Sequence, residues 1–173
     1  MTGEKEVRKA YESILGQDYE EAGAWFRKAI EQDPDNGEYH YKLSITYARS
    51  GKIDEALALA RRAQFLDPDV EAYGIQVRTL EAKQLAAKAE RLLAAGKEQD
   101  ALAAAYLRQA VRLDPLEEGP YVLLAVVLAR MKEYKDAIAV LRELLELNPD
   151  HRTASSLLEQ YRQLLADDLE DRT

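Results

Sequence analysis

Residues with acid–base, metal-binding or nucleophilic potential are few and scattered. His40 and His151 are the only histidines among 173 residues, and no His-x-x-x-His or His-Glu pair exists to seat a metal on one helix face. His40 stands at a regular packing position, which suits a structural histidine better than a ligand. The chain has no cysteine, which excludes thiolate ligands, a cysteine nucleophile and disulfides, and favours a reducing interior. Gly51-Lys52 and Gly96-Lys97 lack the upstream Gly and downstream Ser or Thr of a phosphate-binding loop. The acidic pairs Glu20-Glu21 and Asp167-Asp168 fall on solvated faces or in the tail. No nucleophile with its base, metal set or phosphate cradle is legible, so the expectation is a protein that is not an enzyme and takes no cofactor. The chemistry left to it is recognition.

The elements that would carry recognition announce themselves by punctuation. Asp33-Pro34, Asp67-Pro68, Asp114-Pro115 and Asn148-Pro149 follow one another at intervals of 34, 47 and 34 residues. A period of 34 is one helix-turn-helix unit, which cannot bury its apolar face alone and therefore stacks on its neighbours. Before each Pro, small or apolar residues recur at i, i+4 and i+7: Ala22, Phe26, Ala29; Ala56, Ala60, Ala63; Ala103, Leu107, Ala110; Ala137, Leu141, Leu144. That spacing is one buried stripe of an α-helix. A second stripe marks the helix that opens a unit, clearest at Leu43, Ser44, Tyr47 and at Leu124, Ala125, Leu128. Gly16, Gly51 and Gly96 sit at the expected hairpin turns, with Lys132 in that place in the last unit, and Asp69 and Asp150 are expected N-caps.

Composition sets bounds. Hydrophobic residues at 47% and charged residues at 32% match an ordinary globular chain, and a net charge of −8 opposes the phosphate backbone of a nucleic acid. The N-terminal stretch has no apolar core of signal-peptide type, and no stretch nears the roughly 18 apolar residues of a membrane span. The expectation is a soluble, cytoplasmic protein with no membrane insertion and no nucleic-acid partner.

The 47-residue interval is the irregular one. Eleven extra residues lie between Pro68 and Gly96 and two between Gly96 and Pro115, so the hairpin is not evenly lengthened. Residues 75–95 contain no Gly or Pro and favour helix throughout, yet the apolar face shifts from Tyr73, Val77, Leu80 to Leu85, Ala89, Leu92. Two arrangements fit: one long helix, or an extra helical turn near 70–82 before a standard opening helix at 84–95.

These residues resemble the tetratricopeptide repeat family over roughly residues 3 to 149. The likeness is strongest at His40, Leu43, Ser44, Tyr47, Gly51, Ala56, Ala63 and Pro68, and at Tyr121, Leu124, Ala125, Leu128, Ala137 and Pro149. It implies an all-α, right-handed α-solenoid of antiparallel helix hairpins. One domain over 1–173 would hold repeats at 3–36, 37–69, 70–117 (with a 13-residue insertion) and 118–150, a capping helix at 151–166 and an acidic tail at 167–173. In the first unit Glu6, Lys9 and Ser13 stand where bulky apolar residues are usual, which suggests an opening helix that is frayed or shielded by a partner.

The resemblance also implies a protein-interaction scaffold or adaptor, in a bacterial setting, that binds a protein or peptide segment in the concave groove lined by its opening helices. Carried over residue by residue, the binding positions are Tyr11, Tyr41, Ile45, Arg49, Ile75, Val122, Val126 and Arg130. Tyr and Arg make good anchors, because each joins contact area to polar bonds. Val7, Tyr11 and Ile45 occupy places where family members that clamp chaperone tails carry Lys and Asn, so co-chaperone activity is not implied. The alternative is a self-associating assembly protein, a homo-oligomer built through the inserted third-repeat helix.

Overall fold

The computed structural model describes residues 3–170, and the described residues form helices without a strand. In chain order the helices are α1 (Glu4–Leu15), α2 (Tyr19–Gln32), α3 (Gly37–Arg49), α4 (Ile53–Leu66), α5 (Glu71–Ala95), α6 (Asp100–Leu113), α7 (Glu118–Arg130), α8 (Tyr134–Leu147) and α9 (Arg152–Glu170), with a 3-10 turn at Lys97–Gln99 before α6. Consecutive helices pack on one another, α1 on α2, α3 on α4 and α7 on α8, across connections short enough to make them antiparallel.

The chain divides into two compact units, Met1–Gln84 and Leu85–Thr173. A shift of 81 residues carries the starts of α2, α3, α4 and α5 (Tyr19, Gly37, Ile53, Glu71) onto those of α6, α7, α8 and α9 (Asp100, Glu118, Tyr134, Arg152). This accounts for the long interval. Of the two arrangements left open, one uninterrupted helix of 25 residues is found. The first part of α5 closes unit 1 as α9 closes unit 2, setting Val77 and Leu80 against Ala56, Leu57 and Ala60. Its later part opens unit 2, where Ala89 joins a core with Ala103, Leu107 and Leu124. One helix thus serves as the last of one unit and the first of the next, which is why its apolar face shifts along its length.

Within the units the four sequence stripes are fully buried, from Ala22, Phe26 and Ala29 to Ala137, Leu141 and Leu144. The alanines bring helix axes close, and each large side chain sealed among them, such as Phe26, Leu80 or Leu141, stabilises its unit by about 1.5–3 kcal/mol. The first opening helix is not frayed. Ala10 of α1 is buried, and buried Ser13 is satisfied by the Lys9 carbonyl and by Glu21 at 3.0 Å. His40 and Tyr121, one shift apart, each donate to the carbonyl of the preceding loop proline, His40 Nε2 to Pro34 at 2.8 Å and Tyr121 Oη to Pro115 at 3.3 Å.

Several local expectations are corrected. The left-handed residue of the first hairpin is Gln17 (φ 60°) rather than Gly16 (φ −78°), in register with Gly51 (φ 79°) and Lys132 (φ 62°). Helix α9 is capped by His151, whose Nδ1 accepts the Ala154 N–H at 3.1 Å, not by Asp150. Helix α5 starts at Glu71, one residue too far along for Asp69 to be its N-cap. The observed carboxylate and amide caps are Asp18, accepting from Glu21 N, and Asn36, accepting from Tyr39 N. The capping helix extends through residues expected as tail to Glu170; Asp171, also assigned to the tail, lies outside the described residues.

Candidate protein-binding face

On α3, Tyr41, Ile45 and Arg49 stand four residues apart and share one side of the helix. Tyr41 and Ile45 are half-buried and Arg49 is exposed. Tyr41 meets Tyr73 of α5, with ring centroids 4.9 Å apart at 38°. Next to this pair, Gln76 Nε2 of α5 donates to buried Ser44 Oγ of α3 at 3.2 Å. Toward α1, the Lys42 ammonium lies 5.2 Å from the ring of Tyr11 and is paired with Glu38 at 2.6 Å. Tyr11 is 45% exposed and packs edge-on against Phe26. Ile75 of α5 is 46% exposed. Unit 1 therefore joins Tyr11, Lys42, Tyr41 and Tyr73 across three helices, with Arg49 at the C-terminal turn of α3.

Electrostatics hold these groups in defined states. Burial opposes the charge on Lys42, but hydrogen bonds to Glu38 and Tyr11 outweigh it and raise its pKa. The Tyr73 phenol is also raised, first by burial and then by the carboxylates of Asp67 and Glu38. At neutral pH the face thus presents a cation and neutral hydroxyls. Arg49 has no ion-pair partner among the described residues.

In unit 2 the same register holds Val122, Val126 and Arg130 on α7. Val122 is half-buried against the core that includes Ala125, Ala154 and Leu157, while Val126 is 39% exposed. Arg130 is committed internally, since its guanidinium takes both carboxylate oxygens of buried Asp100, Nε to Oδ2 at 2.7 Å. Tyr41, Ile45 and Arg49 lie on one side of α3 as their spacing implies, while Lys42, Tyr73 and Gln76 beside them were not among the residues the sequence singled out for binding. The 81-residue register would have pointed to them, because it sets Tyr41 and Tyr73 in the places of Val122 and Ala154, which belong to one apolar cluster.

Among the described residues no group of His, Asp and Glu could hold a metal ion, and no helix is long and apolar enough to cross a membrane. A family model described as Tetratricopeptide repeat matches residues 14–83 and 92–161. No curated protein matches the chain. Among solved structures, a MamA protein is 18% identical with TM-score 0.55, over 98% of this chain and 91% of its own. MamA from Desulfovibrio magneticus RS-1 is 16% identical with TM-score 0.54, over 96% of each chain. YrrB, described as a TPR protein with an unusual peptide-binding site, is 19% identical with TM-score 0.50, over 93% of this chain and 76% of its own.

Proposed function

Because the chain belongs to the tetratricopeptide repeat family, a family of protein-interaction scaffolds, we infer that it is a non-catalytic adaptor that holds a protein or peptide segment against the opening helices of unit 1. The observation that carries this reading is the contrast between two arginines in one register. Arg130 is satisfied by Asp100, whereas Arg49, which has Tyr19 at the place equivalent to Asp100, is exposed. A cation left without an ion-pair partner beside half-exposed aromatic side chains suits a partner that supplies apolar contact and a carboxylate. YrrB's description as peptide-binding is consistent with such a use of the fold. Contact would centre on Tyr11, Tyr41, Ile45, Arg49 and Ile75, while Val122, Val126 and Arg130 serve mainly to complete unit 2. No cofactor is required, and the setting we assign is cytoplasmic.

The test is affinity capture from the source organism's lysate, comparing the wild type with a Tyr41→Glu, Arg49→Glu double variant. Bound proteins are identified by mass spectrometry. A protein held by the wild type and lost by the variant, with helicity and melting unchanged, is the expected result. Equal capture by both would remove this face from consideration. The rival, self-association through α5, is less well supported, since Tyr73, Val77, Leu80, Ala82 and Ala89 are already buried.

A further inference from the structure

The α2–α4 side of unit 1 and the α6–α8 side of unit 2 occupy equivalent positions in the 81-residue register and carry different side chains there. In unit 1, Tyr47 lies over Gly23, where a Cβ would come within 2.9 Å of its ring, and Arg27 donates to its hydroxyl. In unit 2 the equivalents are Leu128 and Ala104, both members of the buried core, and Arg108 is drawn toward Glu133 at 3.7 Å instead. The shorter side chain leaves a cleft of about 390 Å³ floored by Leu124, Leu128, Val111 and Val140. Its rim carries Arg112 on α6 and the exposed carboxylates Asp136 and Glu143 on α8. None of these three has an ion-pair partner among the described residues. Burial raises the pKa of Tyr121 at the cleft wall, and the carboxylates of Glu143 and Asp114 add to it.

The same chain carries a feature of matching shape. Phe65, on the last turn of α4, is 75% exposed. The positions equivalent to it in the other three repeats are Glu31, Arg112 and Glu146, all charged, so the repeat pattern does not ask for an aromatic there. Arg62 lies beside it, with its guanidinium 5.6 Å from the ring, and among the described residues its ion-pair partner is Asp35 on the surface. An exposed pair of that kind is worth little and exchanges partners readily. Beyond Phe65, Asp69 and Val70 are also exposed. A phenyl ring with a cation beside it, followed four residues on by an exposed carboxylate, complements an apolar-floored cleft whose rim carries carboxylates on α8 and Arg112 on α6.

We propose that Phe65 of one copy of this chain docks into the α6–α7–α8 cleft of a second copy, with Arg62 meeting Asp136 and Glu143, and Asp69 meeting Arg112. The contact is heterologous: each copy offers one protrusion and one cleft, so association does not stop at two unless the ring closes. It is separate from the opening-helix face assigned to a partner.

The test is the mass of the full chain by sedimentation and light scattering over a wide concentration range. Wild type should grow in mass with concentration, whereas Phe65→Asp and Val140→Glu should each remain monomeric with unchanged helicity. Mixing the two variants should restore association, but only as a one-to-one dimer, because one keeps an intact cleft and the other an intact Phe65. Should Val140→Glu fail to fold, Glu143→Lys at the rim replaces it and should weaken association through charge. A wild type that stays monomeric throughout overturns the proposal. So does an oligomer that survives Phe65→Asp, or a mixture that yields no dimer.

Discussion

The seam between α3 and α5 in unit 1 and its counterpart between α7 and α9 in unit 2 occupy the same places in the fold and are finished with opposite chemistry. In unit 1 the seam carries Tyr41 against Tyr73 and Gln76 hydrogen-bonded to Ser44. In unit 2 Val122 and Ala154 stand for the tyrosines, and Leu157 and Ala125 for the amide and hydroxyl, all within one apolar cluster. The arginine closing each row follows suit, with Arg130 held by Asp100 and Arg49 exposed. A dry seam with its charge satisfied serves stability. A seam with paired rings, a polar bond and an uncommitted cation leaves polar and aromatic groups exposed, and it is this surface that we propose a partner reads.

The comparison presupposes that both units rest on the same buried stripes, and the largest expected effect tests that premise. Ala56→Asp in unit 1 and Ala137→Asp in unit 2 each place a carboxylate at a fully buried helix contact without a partner. Each should cost several kcal/mol, on the order of 3 or more, and unfold its unit as followed by circular dichroism. A normal melt for either would mean that its stripe does not carry the packing.

Next in size is the asymmetry of the arginines. Asp100→Ala leaves Arg130 without its acid, and because that side chain keeps 30% of its exposure the loss should be about 1–2 kcal/mol in urea unfolding. Arg49→Ala should cost less than about 0.5 kcal/mol, as at most exposed positions. Equal losses would erase the distinction between a structural and an available arginine.

The stripes were legible in the sequence because alanine and leucine at i, i+4, i+7 before a proline leave few alternatives to a stacked hairpin. The division into two units was not, because residues 75–95 form one uniform helical run whose two packing partners lie on either side in sequence. Tyr41, Ile45 and Arg49 could be placed on one line from their spacing alone. The fate of Arg130 could not, since its partner is 30 residues away and only tertiary packing brings them together. Capping by His151 and the left-handed Gln17 escaped notice for a related reason. In each a more typical residue, Asp150 or Gly16, sits next to the one that does the job.

Titration probes both units at once. Burial raises the pKa of Tyr39 and Tyr73 in unit 1 and of Tyr121 and Tyr161 in unit 2, from an ordinary value of 10.0. The folded chain therefore holds these protons more tightly than the unfolded one. Stability from this source is whole below pH about 10 and is lost gradually as pH rises through the raised folded values. Thermal melts across that range should show the decline, and Tyr73→Phe should make it shallower. An unchanged melting temperature well above pH 10 would contradict the assigned direction.

The smallest effect concerns the turns, where the two units are alike. Gln17 and Lys132 hold left-handed backbone at the position where α3 and α4 are joined through Gly51. A side chain there costs about 1–2 kcal/mol in steric strain, while glycine adds roughly 0.5–1 kcal/mol of unfolded-state entropy. Gln17→Gly and Lys132→Gly should therefore each stabilise by less than about 1 kcal/mol, and Gly51→Ala should destabilise by a similar amount. Because one substitution falls in each unit, urea titrations also report how the units unfold. If Lys132→Gly moves only part of the transition and Gln17→Gly moves the other part, the units melt separately; if each moves the whole curve, α5 couples them into one cooperative transition.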